Sequence, residues 1–452
     1  MAIHSARLDI SGLFHSLAHT EGNPPLYFLL LDGWIRLFGG SEAAIRSLSA
    51  LFGTAAIVLA YVIGRRLATP RVGLVAAALV AFNPLLVWFS QEARPYSLLV
   101  LLSGLSFLLF AMALERASGL ILGGWAVASG LAFATHYFAG LVILPELLWL
   151  VYRVRPRRRV VPAVVGFAVV PLALIPLVAT QGRLQDYSFV KGETLATRVF
   201  AQVPKQWLVG YDAPAETAVV IVSAAAVLAG LWLAVTRTEG RERRAAFLGG
   251  AVGLSALAIA LVLALLGADY YLSRYVLAAW LPLSLAVAAG LGARQVRWPG
   301  VAIAVVLCAV WVFVVVSVNT RPELQRDDWR GIARAMGVPD PHGRAIVIWP
   351  LNGDIPLRLY LPRAYAISPA GATIGEIDAV AVAPREAGAT RTAPPVPRVP
   401  PLPGFREESR HQGRTFTVVK YRAAAPVPET ATLLRSLSLK PGTADLLVEP
   451  GP

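Results

Sequence analysis

Cysteine is almost absent from this sequence of 452 residues: Cys308 is the only one, and it lies inside an apolar segment. A disulfide within the chain and a thiolate metal site are therefore excluded. Acidic side chains are also scarce, with 27 Asp and Glu against 41 Lys and Arg, and charged residues make up only 15% of the chain. So few charges beside 56% hydrophobic residues exclude an ordinary soluble domain and indicate a chain dissolved in a membrane.

What the sequence has in abundance is apolar segments of about 17–23 residues, the length that crosses a hydrocarbon core of roughly 30 Å. We predict about ten spanning helices, the fourth and fifth separated only by a tight turn near His136. They cover residues 43–64, 71–89, 96–114, 119–135, 138–152, 160–179, 216–236, 245–267, 276–293 and 299–318. Residues 24–38 are too few to span comfortably, and we predict a helix there, begun by Pro24 and Pro25, that lies at the outer membrane interface.

The formal net charge of +14 does not indicate a nucleic-acid partner, because arginine is concentrated in the short loops between apolar segments. Positive charge in such loops marks the cytoplasmic side of a membrane. The loops concerned carry Arg65, Arg66, Arg71, Arg116, Arg153, Arg155, Arg157, Arg158, Arg159, Arg237, Arg241, Arg243, Arg244, Arg294 and Arg297. The alternate loops, including 90–95, 136–138, 180–215 and 268–275, are poorer in arginine, so we predict that they face outward together with both chain ends.

The predicted fold is therefore an all-α polytopic bundle with a small C-terminal extracytoplasmic α/β domain. We expect residues 1–42 to form an outer-face loop with the interfacial helix, and 43–319 to form the bundle with its outer loop 180–215. Residues 320–422 are the α/β domain and 423–452 a loosely ordered tail. In the α/β domain we predict a helix begun by Asp327 or Asp328, strands at 345–350 and 378–384, and a hairpin over 404–422.

Polar and ionisable groups near a bilayer are costly, so the polar clusters of the outward loops are the candidate site. The first runs from His19 to Tyr27, and the second reads Ser-Gln-Glu-Ala-Arg-Pro-Tyr over residues 90–96. The third is His136 with Tyr137, and the fourth reads Asp-Tyr-Tyr-Leu-Ser-Arg-Tyr over residues 269–275.

These motifs make the chain similar to a known family. Pro-Pro-Leu-Tyr at 24–27, Gln-Glu-Ala-Arg-Pro-Tyr at 91–96, Ser-Arg-Tyr at 273–275 and Asp-Trp-Arg at 328–330 resemble the GT-C superfamily of membrane glycosyltransferases. The bacterial relatives of the protein O-mannosyltransferases and of the lipid A aminoarabinose transferase are the members it resembles, over most of residues 1–340. The resemblance implies an enzyme that moves a hexose or pentose from a polyprenyl-phosphate carrier to an extracytoplasmic acceptor, with inversion, at the bacterial inner membrane.

That chemistry needs a carboxylate as general base for the acceptor and cations for the developing lipid phosphate. The candidate catalytic residues are Glu21, Glu92 and Asp9. Arginine suits phosphate because its planar fork matches two oxygens. The candidate residues for substrate binding are Arg94, Arg274, Asn23, Tyr96, His136, Tyr137 and Tyr275. The predicted partners are the lipid-linked donor, the acceptor and membrane lipid; no metal ligand is assigned, and a divalent cation stays open as a cofactor.

One departure from the family concerns its acidic pair. The resemblance implies a first spanning helix followed by an Asp-Glu pair, whereas Met1-Ala2-Ile3 looks like the sequence just after that pair. We therefore expect the natural start roughly 30–40 residues upstream, the length of one span and a short loop.

Each candidate also has a structural interpretation. Glu92 and Arg94 can pair with each other, Arg274 can anchor a helix end, and His136 can cap its turn. For the whole chain the alternatives are a transporter or flippase of a lipid-linked sugar and a non-catalytic relative. Transporters often show internal repeats, and none is visible in the sequence, which favours an enzyme.

Overall fold

The structure is a computed structural model that describes residues 10–20, 22–184, 193–383, 392–394, 402–437 and 444–452. The chain divides into two compact units between Val316 and Ser317.

The first unit is built of helices. They are α1 (Ile10–Thr20), α2 (Leu26–Phe38), α3 (Glu42–Leu67), α4 (Pro70–Phe82), α5 (Pro84–Ser90), α6 (Tyr96–Glu115), α7 (Gly119–Thr135), α8 (Gly140–Arg153), α9 (Val161–Leu184), α10 (Val203–Val209), α11 (Glu216–Thr236), α12 (Gly240–Leu265), α13 (Trp280–Leu291) and α14 (Trp298–Thr320). Short 3₁₀ turns at Tyr137–Ala139 and Leu277–Ala279 precede α8 and α13, and a π-helical turn at Arg198–Gln202 precedes α10.

Each predicted apolar segment coincides with one of these helices, except 71–89, which coincides with both α4 and α5; this confirms the mostly helical bundle. Among the described residues, six helices have both the length and the composition to cross a membrane, namely α3, α6, α9, α11, α12 and α14. A seventh crossing is available if α4 and α5, which meet at an angle of 62°, form one broken span. The predicted count of about ten is not confirmed, because α7, α8 and α13 have only 17, 14 and 12 residues and a straight crossing needs about 20.

Small residues let the helices of the bundle approach closely. A Cβ atom at Gly290 would lie 1.9 Å from the carbonyl oxygen of Gly230, where α13 crosses α11. Between α3 and α4, a Cβ atom at Gly64 would lie 2.7 Å from Cα of Gly73. Lipid tails are as apolar as leucine, so helix association in a membrane depends on such close packing and on hydrogen bonds between helices.

The polar loops of the bundle separate into two groups. We call residues 90–96, 136–139 and 269–275 the site end, since rings from all three segments lie next to one another there. We call the loops around Arg66, Arg153–Arg159 and Arg244 the arginine end. At that end Arg66 and Arg244 both pair with Glu115, at 3.1 and 3.3 Å.

The second unit contains a six-stranded mixed sheet, which confirms the predicted α/β domain. Its strands are β1 (Arg344–Trp349), β2 (Tyr365–Ala366), β3 (Ala372–Val382), β4 (Phe405–Gln412), β5 (Phe416–Glu429) and β6 (Asp445–Glu449), in the order β2-β6-β1-β3-β5-β4. Among the described strands, only β1 and β3 pair in parallel. The helices are α15 (Trp329–Met336), α16 (Asp354–Leu357) and α17 (Ala431–Arg435). Asp328 caps α15 by accepting a hydrogen bond from the Gly331 amide at 2.8 Å.

The prediction of a loosely ordered tail over 423–452 is wrong for the residues that the structure describes. Strand β5 continues to Glu429, and β6 lies inside the sheet between β2 and β1. Leu446, Leu447 and Val448 of β6 are buried. A strand with neighbours on both sides satisfies its backbone and buries its side chains, which is why this segment is ordered.

Candidate functional site

A cluster of rings from three segments forms the centre of the site end. The ring of His136 lies 5.9 Å from that of Tyr96 and 6.0 Å from that of Tyr275. Phe138 stacks on Tyr275 at 4.6 Å. Helix α6 begins at Tyr96 and helix α7 ends just before His136, so the ends of these helices and the loop before α13 hold the rings in place.

Arg274 lies beside this ring cluster. Its guanidinium carbon is 5.0 Å from the centre of the Tyr275 ring, a cation–π distance. Through Tyr275, Arg274 lies next to His136, whose ring is 6.0 Å from that of Tyr275. Because Arg274 is half-buried, bulk water screens its positive charge less than it screens an exposed arginine, and the charge interacts more strongly with neighbouring groups.

Glu92 and Arg94 lie in the turn between α5 and α6. The indole Nε1 of Trp88 donates a hydrogen bond to Glu92 Oε1 at 2.9 Å, which orients the carboxylate from one helical turn away. The same turn also contacts α3, because the Arg94 carbonyl oxygen accepts a hydrogen bond from Ser49 Oγ at 3.4 Å, and Ser49 Oγ lies 2.8 Å from the Tyr27 hydroxyl of α2. The turn that carries Glu92 and Arg94 therefore leads directly into Tyr96 of the ring cluster.

Two braces fix the loop that carries Arg274. Arg198, only 2% exposed, donates both guanidinium arms to the carboxylate of Asp269 and also reaches the Tyr271 carbonyl oxygen at 3.2 Å. Next to Arg274, the hydroxyl of Ser273 donates to Gln206 of α10. The residues directly before Arg274 are thus held at two points, at Asp269–Tyr271 and at Ser273.

Trp207 adds to the contact between α10 and the loop at Ser273. It donates from Nε1 to the Ser273 carbonyl oxygen at 3.2 Å, and its own carbonyl oxygen accepts from Asn83 Nδ2 at 2.8 Å. Asn83 also caps α5, so the start of that helix is connected to the Arg274 loop through α10.

The side chain of Gln181 of α9 connects Tyr137 to Asn23 through hydrogen bonds. The Tyr137 hydroxyl donates to Gln181 Oε1 at 2.8 Å. Gln181 Nε2 donates to the carbonyl oxygens of Leu17 at 2.9 Å and Asn23 at 3.2 Å. The structure thus links Tyr137 and Asn23 by a different route from the Tyr96–His136–Tyr275 cluster.

His136 also serves its own turn. Its Nδ1 accepts the Phe138 amide at 3.3 Å, which is the capping interaction named above as its structural interpretation. The neutral ring then carries its proton on Nε2. This atom is buried and has no hydrogen-bond partner among the described residues.

Two candidate catalytic residues, Asp9 and Glu21, lie outside the described residues. Within the described part of the chain, no three His, Cys, Asp or Glu side chains are grouped closely enough to hold a metal ion.

Sequence reasoning missed Trp88, Arg198, Gln181 and Tyr211. Trp88 and Gln181 read as ordinary residues at the ends of apolar segments, and nothing in their spacing distinguishes them. Tyr211 lies in the predicted outer loop, where its ring is 5.6 Å from Trp88 and 6.1 Å from Phe89. Arg198 is the only one with a signal, since it is an arginine in a loop otherwise poor in them.

The chain is similar in sequence to one protein family and in structure to solved membrane proteins. The family described as dolichyl-phosphate-mannose-protein mannosyltransferase matches residues 22–180. ArnT from Cupriavidus metallidurans, solved bound to undecaprenyl phosphate, superimposes with a TM-score of 0.57 at 15% identity, over 90% of this chain and 89% of that one. The chain has an ArnT-like fold. The resemblance drawn from the sequence motifs is thereby confirmed at the level of the fold.

Two further similarities are weaker. The apo structure of the same ArnT gives a TM-score of 0.40 at 15% identity, over 88% of this chain and 87% of that one. The Archaeoglobus fulgidus oligosaccharyltransferase complex with zinc and sulfate gives 0.40 at 14% identity, over 75% and 52%. No curated protein matches the chain in sequence.

Proposed function

We propose that this multi-pass membrane protein is a glycosyltransferase that moves a sugar from a polyprenyl-phosphate carrier to an acceptor outside the cytoplasm. One observation carries the proposal: separate segments bring a carboxylate, two arginines and a cluster of aromatic rings together at one end of the helical bundle. The family match and the undecaprenyl phosphate bound to the similar ArnT support a lipid-linked donor.

Arg94 and Arg274 are the groups suited to the donor phosphate. Arg94 lies two residues before Tyr96, and Arg274 lies over the ring of Tyr275, so both arginines belong to segments that meet in the ring cluster. Negative charge develops on the phosphate oxygen as its bond to the sugar breaks, and fixed cations stabilise that charge. Tyr96, Tyr275 and His136 would pack against the sugar, as aromatic rings commonly do in polar ligand sites.

Glu92 is the group suited to act as general base. In a single displacement the acceptor hydroxyl or amine attacks the anomeric carbon, and the bond from that carbon to the phosphate oxygen breaks. The polyprenyl phosphate leaves with the electron pair, the configuration inverts, and Glu92 takes the proton of the acceptor. The hydrogen bond from Trp88 holds one carboxylate oxygen in place.

The site end then faces outward, as the arginine-rich loops predict. We accordingly propose the bacterial inner membrane as the location, with the second unit on the extracytoplasmic side. The roles of Asn23 and Tyr137 are indirect in this proposal: through Gln181 they fix the segment before α2 against α9.

The test is a transfer assay on the purified chain in nanodiscs with radiolabelled polyprenyl-phosphate sugars. We expect transfer to an acceptor, or slow hydrolysis of the donor, and its loss in Glu92→Gln, which keeps the shape of the side chain but cannot accept the proton. Arg158→Ala, at the exposed arginine end, is the matched control and should keep full activity.

A different result would contradict the enzyme. Tight donor binding without turnover, unchanged by Glu92→Gln, would instead indicate a flippase of a lipid-linked sugar.

A further inference from the structure

A buried acid lies deep in the bundle, away from the candidate site. Glu146 of α8 is 0% exposed. Its Oε2 accepts hydrogen bonds from Ser106 Oγ of α6 and from Trp125 Nε1 of α7, the latter at 2.9 Å. Ser129 of α7 lies 2.8 Å from Ser106. Because Ser106 gives its only proton to Glu146, it must accept from Ser129.

This seam, defined as Ser106, Trp125, Ser129 and Glu146, joins three consecutive helices through directional contacts. Ser106 is ten residues along α6 from Tyr96, which is roughly 15 Å of helix. That distance is about half of a hydrocarbon core, so the seam lies near the middle of the membrane. Polar side chains at that depth are expensive and are usually kept for a purpose.

The ends of the same three helices carry or adjoin the rings of the ring cluster. Helix α6 begins with Tyr96, α7 ends next to His136, and α8 follows the 3₁₀ turn that contains Phe138. Apolar contacts alone do not fix how far one helix slides or rotates against another, whereas a hydrogen bond between helices does. A shift of one residue along an α-helix moves its end by about 1.5 Å and turns it by about 100°.

We propose that Glu146 is a positioning residue that holds α6, α7 and α8 in register, so that Tyr96 and His136 stay side by side at the site end. It acts by accepting hydrogen bonds at one oxygen, and its role in catalysis rests on the proposed function.

The experiment compares Glu146→Leu, Glu146→Gln and Trp125→Phe in the full-length chain in nanodiscs. The matched control is Ser103→Ala on α6, because Ser103 is equally buried and its hydroxyl has no hydrogen-bond partner among the described residues. The first readout is amide hydrogen exchange of residues 136–140, which needs no substrate. The second is kcat/KM for the lipid-linked donor.

We expect Glu146→Leu to speed exchange of residues 136–140 about tenfold and to lower kcat/KM by a similar factor, since it removes two hydrogen bonds between helices. Glu146→Gln should stay within about twofold of the parent because its amide oxygen accepts the same bonds. Trp125→Phe should give a smaller effect in the same direction. If Glu146→Leu does not fold, the comparison of Trp125→Phe with the parent takes its place. Ser103→Ala should change nothing.

Two outcomes would overturn the proposal: unchanged exchange of residues 136–140 in Glu146→Leu and Trp125→Phe, or Glu146→Gln behaving like Glu146→Leu. If exchange responds as expected but the parent transfers no sugar from any donor, the positioning of the helices stands and the proposed transferase activity fails.

Discussion

The two ends of the helical bundle use arginine in opposite ways. At the arginine end the side chains of Arg153, Arg155 and Arg157–Arg159 are exposed, and water solvates their charges. At the site end Arg198 is 2% exposed, and Arg274 is half-buried with its guanidinium over the ring of Tyr275. An exposed arginine can be replaced at little cost, whereas an enclosed one is kept only where its charge has a partner or a task.

Arg344 of the second unit shows that enclosure alone does not define a site. It is 0% exposed, and its guanidinium reaches Asp378 at 3.0 Å and Glu449 at 2.6 Å, with Glu376 at 3.6 Å. Three carboxylates surround this one cation, so it is a structural ion cluster in a sheet. What distinguishes Arg274 is that its charge is directed at aromatic side chains, an arrangement that suits the binding of an external anion.

Arg274→Ala should have the largest effect on activity. Removing one group that stabilises developing charge typically costs about 100- to 1,000-fold in rate. We expect a loss of that order in kcat/KM, against at most about twofold for Arg158→Ala, measured in the donor transfer assay. Equal effects of the two variants would remove the distinction between the two ends.

Arg198→Ala should come next. It leaves the Asp269 carboxylate without its bidentate partner beside the loop of Arg274, and breaking such a pair is worth about 3–5 kcal/mol when it is fully buried. Because Asp269 is 24% exposed, we expect less: a lower melting temperature and roughly tenfold lower kcat/KM. Asp269→Asn added to Arg198→Ala should recover part of both. A double variant worse than Arg198→Ala would show that the pair is not the relevant contact.

Trp88→Phe should have a smaller effect, because it removes a single hydrogen bond to Glu92. A bond to a charged group is worth about 1.5–3 kcal/mol, and part of that is regained from water at a half-buried carboxylate. We expect roughly three- to tenfold lower kcat with little change in KM. Trp232→Phe, on an exposed face of α11, is the control and should match the parent.

The smallest effect concerns pH and tests the structural interpretation of the Arg344 cluster. Burial raises the pKa of the Asp378 carboxyl from 3.8 to about 7; nearby Glu376 adds to the rise, and Arg344 opposes it. The native state therefore keeps a proton that the unfolded state releases near pH 4. This contribution to stability is complete below about pH 4 and is lost as the pH rises to about 7.

Asp378→Asn should flatten that dependence and leave sugar transfer unchanged. The measurement is hydrogen exchange of strand β3 in the full chain at several pH values, corrected for the intrinsic exchange rate. A parent protein whose β3 grows more stable between pH 4 and 7 would contradict the raised pKa.

The sequence predicted those features that depend on composition along the chain. Apolar length located the helices of the bundle except α1 and α10, which lie in segments predicted as outer loops, and the Pro-Pro-Leu-Tyr and Gln-Glu-Ala-Arg-Pro-Tyr motifs indicated the GT-C fold. It also indicated most of the ring cluster, because Tyr96, His136 and Tyr275 each stand next to the end of an apolar segment. The number of crossings was not predictable in the same way, since α7, α8 and α13 are apolar throughout yet shorter than a straight span.

The partners across the fold could not be predicted. Arg198 and Asp269 are 71 residues apart in sequence, and Gln181 is 158 residues from Asn23. Nothing local to these residues identifies the group that each will meet. Strand β6 was missed for a related reason: it is five residues long, and only its place between two other strands explains its order.

The central claim is that the phosphate of a lipid-linked sugar binds at the site end, between Arg94 and Arg274. The most direct measurement is photo-cross-linking with a polyprenyl-phosphate analogue that carries the reactive group next to the phosphate, followed by mapping of the labelled peptides. The account predicts label on the segments 90–99 and 270–278, and its loss when unlabelled donor competes. Label confined to the arginine end, around Arg153–Arg159, or label that donor does not displace, would contradict it.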